Sequence, residues 1–122
     1  MSKFSSDYID VRILADNKLL LLEDFSFTSN SGRIITAKKG FIFNGANIPR
    51  NFWFIIGHPF SSKYIRSALI HDLLCGSKEF SRKYADSIFK EMLKIDRVSR
   101  WKIPLMYIAV RVGAAKSLVK NF

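Results

Sequence analysis

Between Tyr8 and Phe43 apolar and polar residues alternate, and turn-forming clusters interrupt the alternation. Tyr8-Ile9-Asp10-Val11-Arg12-Ile13-Leu14 reads as a short strand, and Ala15-Asp16-Asn17-Lys18 supplies turn chemistry after it. Leu19 to Thr28 continues as a second strand, with Phe25 and Phe27 alternating against Ser26 and Thr28. Ser29-Asn30-Ser31-Gly32 turns the chain again. Arg33 to Phe43 is then a third strand, with Ile35, Ala37, Phe41 and Phe43 on one face. A three-stranded antiparallel meander is the economical arrangement.

The texture changes at Asn44. Asn44-Gly45-Ala46-Asn47-Ile48-Pro49-Arg50 cannot continue a central strand. The apolar stretch Asn51 to Ile56 predicts one or two helical turns, closed by Gly57-His58-Pro59. A helix is expected over about 63–75, capped by Ser61 or Ser62 and stopped by Gly76. Ser81 caps the next, over about 82–95, where Tyr84, Ile88, Met92 and Ile95 form a stripe widened by Phe89 and Leu93. Ser99 starts a last helix, with Pro104 tolerated near its first turn and Gly113 a place for close contact or a break. The expected fold class is α+β. One domain spans 1–122, with a sheet over about 8–43, a loop over 44–50 and three to four helices after it, including an antiparallel helical hairpin.

Composition narrows the class. The chain has 122 residues, 48% of them apolar, which is enough for one packed core without covalent staples. The lone Cys75 excludes an internal disulfide framework and a paired-cysteine zinc site, and it suits a reducing compartment. The N-terminal residues contain no apolar signal region. The longest apolar run, Ile103 to Val110, is far short of the ~20 residues of a membrane span. The expectation is a cytoplasmic or virion-associated protein. Its net charge is +10, and residues 97–122 hold six Lys/Arg and no acid. Such a region suits phosphate backbones, anionic lipid or an acidic protein, or it is a solvated face. Arg97, Arg100, Lys102 and Arg111 are its candidate binding residues, joined by Asn44, Asn47 and Arg50 in the loop.

The chemistry concentrates in His71-Asp72 and Asp86. His71 and Asp86 lie nearly symmetrically about a loop centred between Lys78 and Glu79. In an antiparallel helical hairpin both side chains then sit at one level, on faces apolar enough to point inward. Buried ionisable groups are costly unless paired, so pairing with each other is the expectation. A carboxylate facing an imidazole fixes its tautomer and raises its basicity, which suits a general base, a metal ligand or a structural pair. Asp72, about 100° further round the helix, looks toward the Asn44–Arg50 loop. Gly45 permits close backbone approach there, and Asn carbonyls with Asp72 suit a hard cation or a tight connector. Cys75, one turn after His71, is read as inert packing, His58 as a minor candidate, and Trp53 and Trp101 as core anchors.

Four ordered blocks carry a family resemblance. They are Gly40-Phe41-x-Phe43-Asn44-Gly45-Ala46-Asn47-Ile48-Pro49-Arg50-x-Phe52-Trp53, His71-Asp72, Ser81-Arg82-x-x-Ala85-Asp86-x-x-Phe89, and Ala109-Val110-Arg111-x-Gly113. From Gly40 to Gly113 the chain resembles the phage and bacterial "domain of unknown function 1353" family. That family usually has Asp where this chain has Asn44, Ser where it has Asn47, and an aromatic near Cys75. The resemblance implies a small phage or prophage protein with no agreed activity. The helix pair alone is similar to that of secreted and parvoviral phospholipases. That likeness implies His71 as general base, Asp72 as calcium ligand and Asp86 as imidazole orienter.

Three functions follow. The leading one is a non-enzymatic binding module on a host or virion component, with no cofactor. The others are a hydrolase using His71–Asp86, with calcium, and nucleic-acid binding by the basic C-terminal region.

Overall fold

The structure, a computed structural model, describes residues 2–16, 18–44 and 64–120, the side chains of 115–120 excepted. Among these residues the strands come first: β1 (Lys3–Phe4), β2 (Val11–Ile13), β3 (Leu19–Leu21), β4 (Phe25–Thr28), β5 (Ile34–Ala37) and β6 (Ile42–Phe43). The helices follow: α1 (Ile65–Gly76), α2 (Arg82–Ile95) and α3 (Lys102–Lys120). The fold is α+β. Asn47, Arg50, Trp53, His58 and the expected Ser61/Ser62 cap lie outside the described residues.

The strands form two small antiparallel sheets, ordered β1-β4-β5 and β2-β3-β6, where a single meander was expected. The pairing nevertheless follows the meander. Leu19 pairs Phe43 and Leu20 pairs Ile42, while Phe25 pairs Ala37 and Phe27 pairs Ile35. These pairs share one continuous register, so β3–β4 and β5–β6 are the two arms of one hairpin, interrupted midway. The Asp24 carboxylate accepts from the Lys39 backbone N–H at 2.7 Å, and Gly40 takes φ +96° in the turn where Phe41 N–H donates to Lys38 O. A ladder cannot run through a backbone turned that way. Each half then gains one strand: β2 on β3, and β1 on β4.

Along β4 burial alternates as the sequence does, with Phe25 and Phe27 inward and Ser26 and Thr28 half-buried. On the outer face the Ser26 hydroxyl bonds that of Thr36 at 2.9 Å. The inner faces of both sheets join the helices in one hydrophobic cluster that includes Leu21, Phe27, Phe43, Leu69, Ile88 and Phe89. Phe41, expected there too, packs partly buried against it.

The Ser81 hydroxyl accepts from Tyr84 N–H at 3.0 Å, and α2 has the expected bounds. Its stripe of Ile88, Phe89, Met92 and Leu93 is buried, with Tyr84 and Ile95 at the edges. Helix α1 packs on β5 and β6 and against α2, which in turn packs against α3. Helix α3 runs through Gly113 unbroken. A second polar cluster fixes the sheet-to-helix junction. Arg66 Nε donates to Asp96 Oδ1 at 3.0 Å, Ser67 Oγ donates to Asp96 Oδ2 at 2.5 Å, and the Arg66 guanidinium lies over the Phe4 ring while Nη1 reaches Ser6 O. Among the described residues no helix is long and apolar enough to cross a membrane.

Candidate functional site

The α1–α2 hairpin brings His71 and Asp86 together as the loop symmetry requires. His71 Nε2 lies 2.7 Å from Asp86 Oδ1, with His71 1% and Asp86 0% exposed. Two guanidinium groups join them. Arg82 Nε donates to the same oxygen at 2.9 Å, and Arg111 Nη1 donates to Oδ2 at 2.8 Å. Arg82 Nη2 also donates to the Val110 carbonyl at 3.0 Å. One carboxylate therefore ties α1, α2 and α3. The Phe89 ring, 4.7 Å from the imidazole centroid, closes the apolar side.

Burial works against charge on Asp86, but the hydrogen bonds from His71 and Arg82 outweigh it and hold its carboxyl below the ordinary 3.8. The acceptor is thus a carboxylate, so Nε2 carries the proton that lies between it and His71. Cys75 Sγ stands 3.5 Å from Nε2, within hydrogen-bonding reach for sulfur, but as a weak acceptor beside a carboxylate at 2.7 Å. Burial pushes the Cys75 thiol up to about 12, which makes it a poor nucleophile.

His71, Cys75 and Asp86 present ligand atoms within 4.8 Å of one another, a spacing that would suit a metal ion. The donor chemistry argues otherwise. The His71 nitrogen that faces the group is protonated, the thiol resists ionisation, and two guanidinium groups already neutralise Asp86. The cluster is built to hold a proton.

Asp72 faces the other way, as expected, and its Oδ2 accepts from Asn44 N–H at 3.0 Å. Beside it lies a cleft of about 320 Å³, lined by Lys18, Phe41, Phe43, Asn44, Asp72 and Cys75 among others. The oxygen donors a hard cation prefers are present in Asp72 and the Asn44 side chain, but Lys18 brings a positive charge to the same wall. The two functional groups of the sequence reading thus occupy neighbouring but separate places: His71 inside the helical layer, Asp72 at a cleft.

Over residues 19–110 the chain matches the family described as "Protein of unknown function (DUF1353)". The chain belongs to this family. The match covers β3 through the first half of α3 and includes His71, Asp72, Arg82 and Asp86. It begins earlier than the Gly40 block of the sequence resemblance, so DUF1353 membership takes in the kinked hairpin as well as the helices. An uncharacterized protein, y4jT, of Sinorhizobium fredii (strain NBRC 101917 / NGR234) is 36% identical over 109 residues. That alignment covers 88% of this chain and 32% of y4jT, so the chain spans about a third of the curated relative it matches. No solved structure matches the chain.

The remaining candidates divide. Arg97 and Arg100 are exposed, and Lys102 is half-buried with its ammonium 5.4 Å from the Trp101 ring centroid. Arg111, expected as a surface anchor, is instead committed to Asp86. Trp101 is a correction: expected in the core, it is 60% exposed, because position 101 lies on the side of α3 opposite the buried Ile103, Met106 and Val110. Arg82 was missed as a site residue. Its signal was available, since Arg four residues before Asp on a helix places both on one face.

Proposed function

We propose that this DUF1353 protein is a non-enzymatic binding domain of phage or prophage type that docks onto a host or virion component. In this reading the His71–Asp86 cluster locks the three helices that carry the docking face. The observation that carries it is the dryness and saturation of the pair: His71 is 1% exposed, and both Asp86 oxygens are taken by donors from three helices. A general base has to reach a substrate proton directly or through one water. An imidazole sealed among Phe89, Cys75 and two guanidinium groups does not offer that reach. The relative, in which a matching segment makes up about a third of the length, supports a domain that works as a module.

A second reading, a calcium-assisted hydrolase, has one observation in its favour. Asp72, the residue next to His71, lines an open cleft. The test is ester hydrolysis by wild type and by His71→Asn, both shown folded by circular dichroism, with and without calcium. The binding reading expects no calcium-dependent turnover that separates the two proteins. Turnover abolished by His71→Asn in a folded protein replaces it with the hydrolase.

A further inference from the structure

Helix α3 is apolar on two sides. Ile103, Met106, Ala109 and Val110 face the core and are buried. On the opposite side, at helical spacing, Trp101 is 60% exposed, Pro104 is exposed, Leu105 is half-buried and Ile108 is 51% exposed. A helix with a second apolar stripe opposite its core face leaves area that a partner can cover, and here that stripe exposes Trp101 and Ile108.

The turn that leads into α3 is cationic. Lys94, Arg97 and Arg100 border a cavity of about 620 Å³ floored by Val98, Ile103 and Pro104. None of the three pairs with a carboxylate among the described residues. The adjacent Asp96 is spent on Arg66 and Ser67. Arg97 holds φ +59° just past the end of α2, where Arg97 N–H donates to Lys94 O and Val98 N–H donates to Leu93 O. This is a Schellman cap, a position that glycine fills without strain. A cation occupies it here, displayed at the mouth of the cavity.

We propose that the outer face of α3 and this cationic turn bind the surface of an anionic lipid bilayer. Charge complementarity selects anionic lipid, since residues 97–122 contain no Asp or Glu to oppose it. The apolar stripe selects a bilayer over single-stranded nucleic acid. An oligonucleotide accounts for the cations and Trp101 but leaves Pro104 and Ile108 in water. A second stacking platform is also taken, because the Lys90 ammonium stands 5.2 Å from the Tyr107 ring centroid. Trp belongs at the headgroup level with Ile and Leu below it and Lys/Arg around it, the pattern of an interfacial helix.

The proposal rests on the binding-domain reading and gives its partner a chemistry. The experiment is sedimentation of the full chain with vesicles of pure phosphatidylcholine and of an equal mixture with phosphatidylglycerol. Wild type is expected to sediment with the mixed vesicles only, and added salt should release it. Arg97→Gly leaves the cap intact and should weaken binding about fivefold, as should Arg100→Gln. Trp101→Gln combined with Ile108→Gln, both at exposed positions, should weaken it about tenfold or more. Absence of retention on mixed vesicles, variants that bind as wild type, or retention by a single-stranded oligonucleotide alone overturns the lipid partner. Calcium-dependent fatty-acid release from the same vesicles, abolished by His71→Asn while sedimentation persists, overturns the binding-domain reading and leaves the lipid face standing.

Discussion

Replacing Asp86 by Ala removes a carboxylate on which all three helices converge. His71 then keeps a buried N–H whose only neighbouring acceptor among the described residues is the weak Cys75 sulfur, a loss of ~1–3 kcal/mol. Arg82, 21% exposed, gives up a hydrogen bond to a charge but can turn partly to water, for ~1 kcal/mol. Arg111 is 38% exposed, so solvent screening reduces its share to ~0.5 kcal/mol. Together these reach ~2.5–4.5 kcal/mol, close to the ~3–5 kcal/mol usual for removing one partner from a buried ion pair. Urea unfolding followed by circular dichroism at neutral pH reads it directly. With a denaturant slope of ~1.5 kcal/mol per molar, the midpoint should fall by ~2–3 M. A double variant, Asp86→Ala with His71→Leu, should recover part of the loss, because no buried donor is then stranded. A loss below ~1 kcal/mol for Asp86→Ala refutes the clamp, whatever the double variant does.

Ser81→Ala removes the cap of α2 and should cost ~1 kcal/mol in the same unfolding assay, with Ser99→Ala, whose contact is through its backbone carbonyl, nearly silent. Because Asp86 titrates below its ordinary 3.8 in the folded protein, its stabilisation is complete above that value and fades as pH falls through the folded one. The stability difference between wild type and Asp86→Asn should therefore shrink on acidification; taking the difference cancels Asp96, whose carboxyl burial pushes upward. A thiol held at about 12 should alkylate slowly, with roughly one part in ten thousand as thiolate at pH 8, so iodoacetamide labelling of Cys75 at a normal thiol rate contradicts its assigned burial.

What the chain made legible was local or symmetric. Helix α2 carries its own cap, stripe and stop, and its bounds could be read from them. The His71–Asp86 contact follows from mirror positions about a short loop. The kink in the long hairpin was hidden, because Leu22-Glu23-Asp24 and Lys38-Lys39-Gly40 look like strand continuations until Asp24 caps the opposite turn. Strand β1 was invisible, since Lys3 and Phe4 are too few to show a period. Arg111 could not be assigned to Asp86 from sequence, because nothing local connects residues 25 apart. Trp101 was misplaced by treating an aromatic residue as core without comparing its helical position with that of Ile103 and Met106.

The central claim, that His71 is a dry structural partner of Asp86, is tested most directly by solvent exchange of its ring proton. A long-range ¹H–¹⁵N spectrum of His71 should show the proton on Nε2, slow to exchange with water and lost as a slowly exchanging signal in Asp86→Asn. A ring proton in fast exchange with solvent, or one resident on Nδ1, contradicts the account.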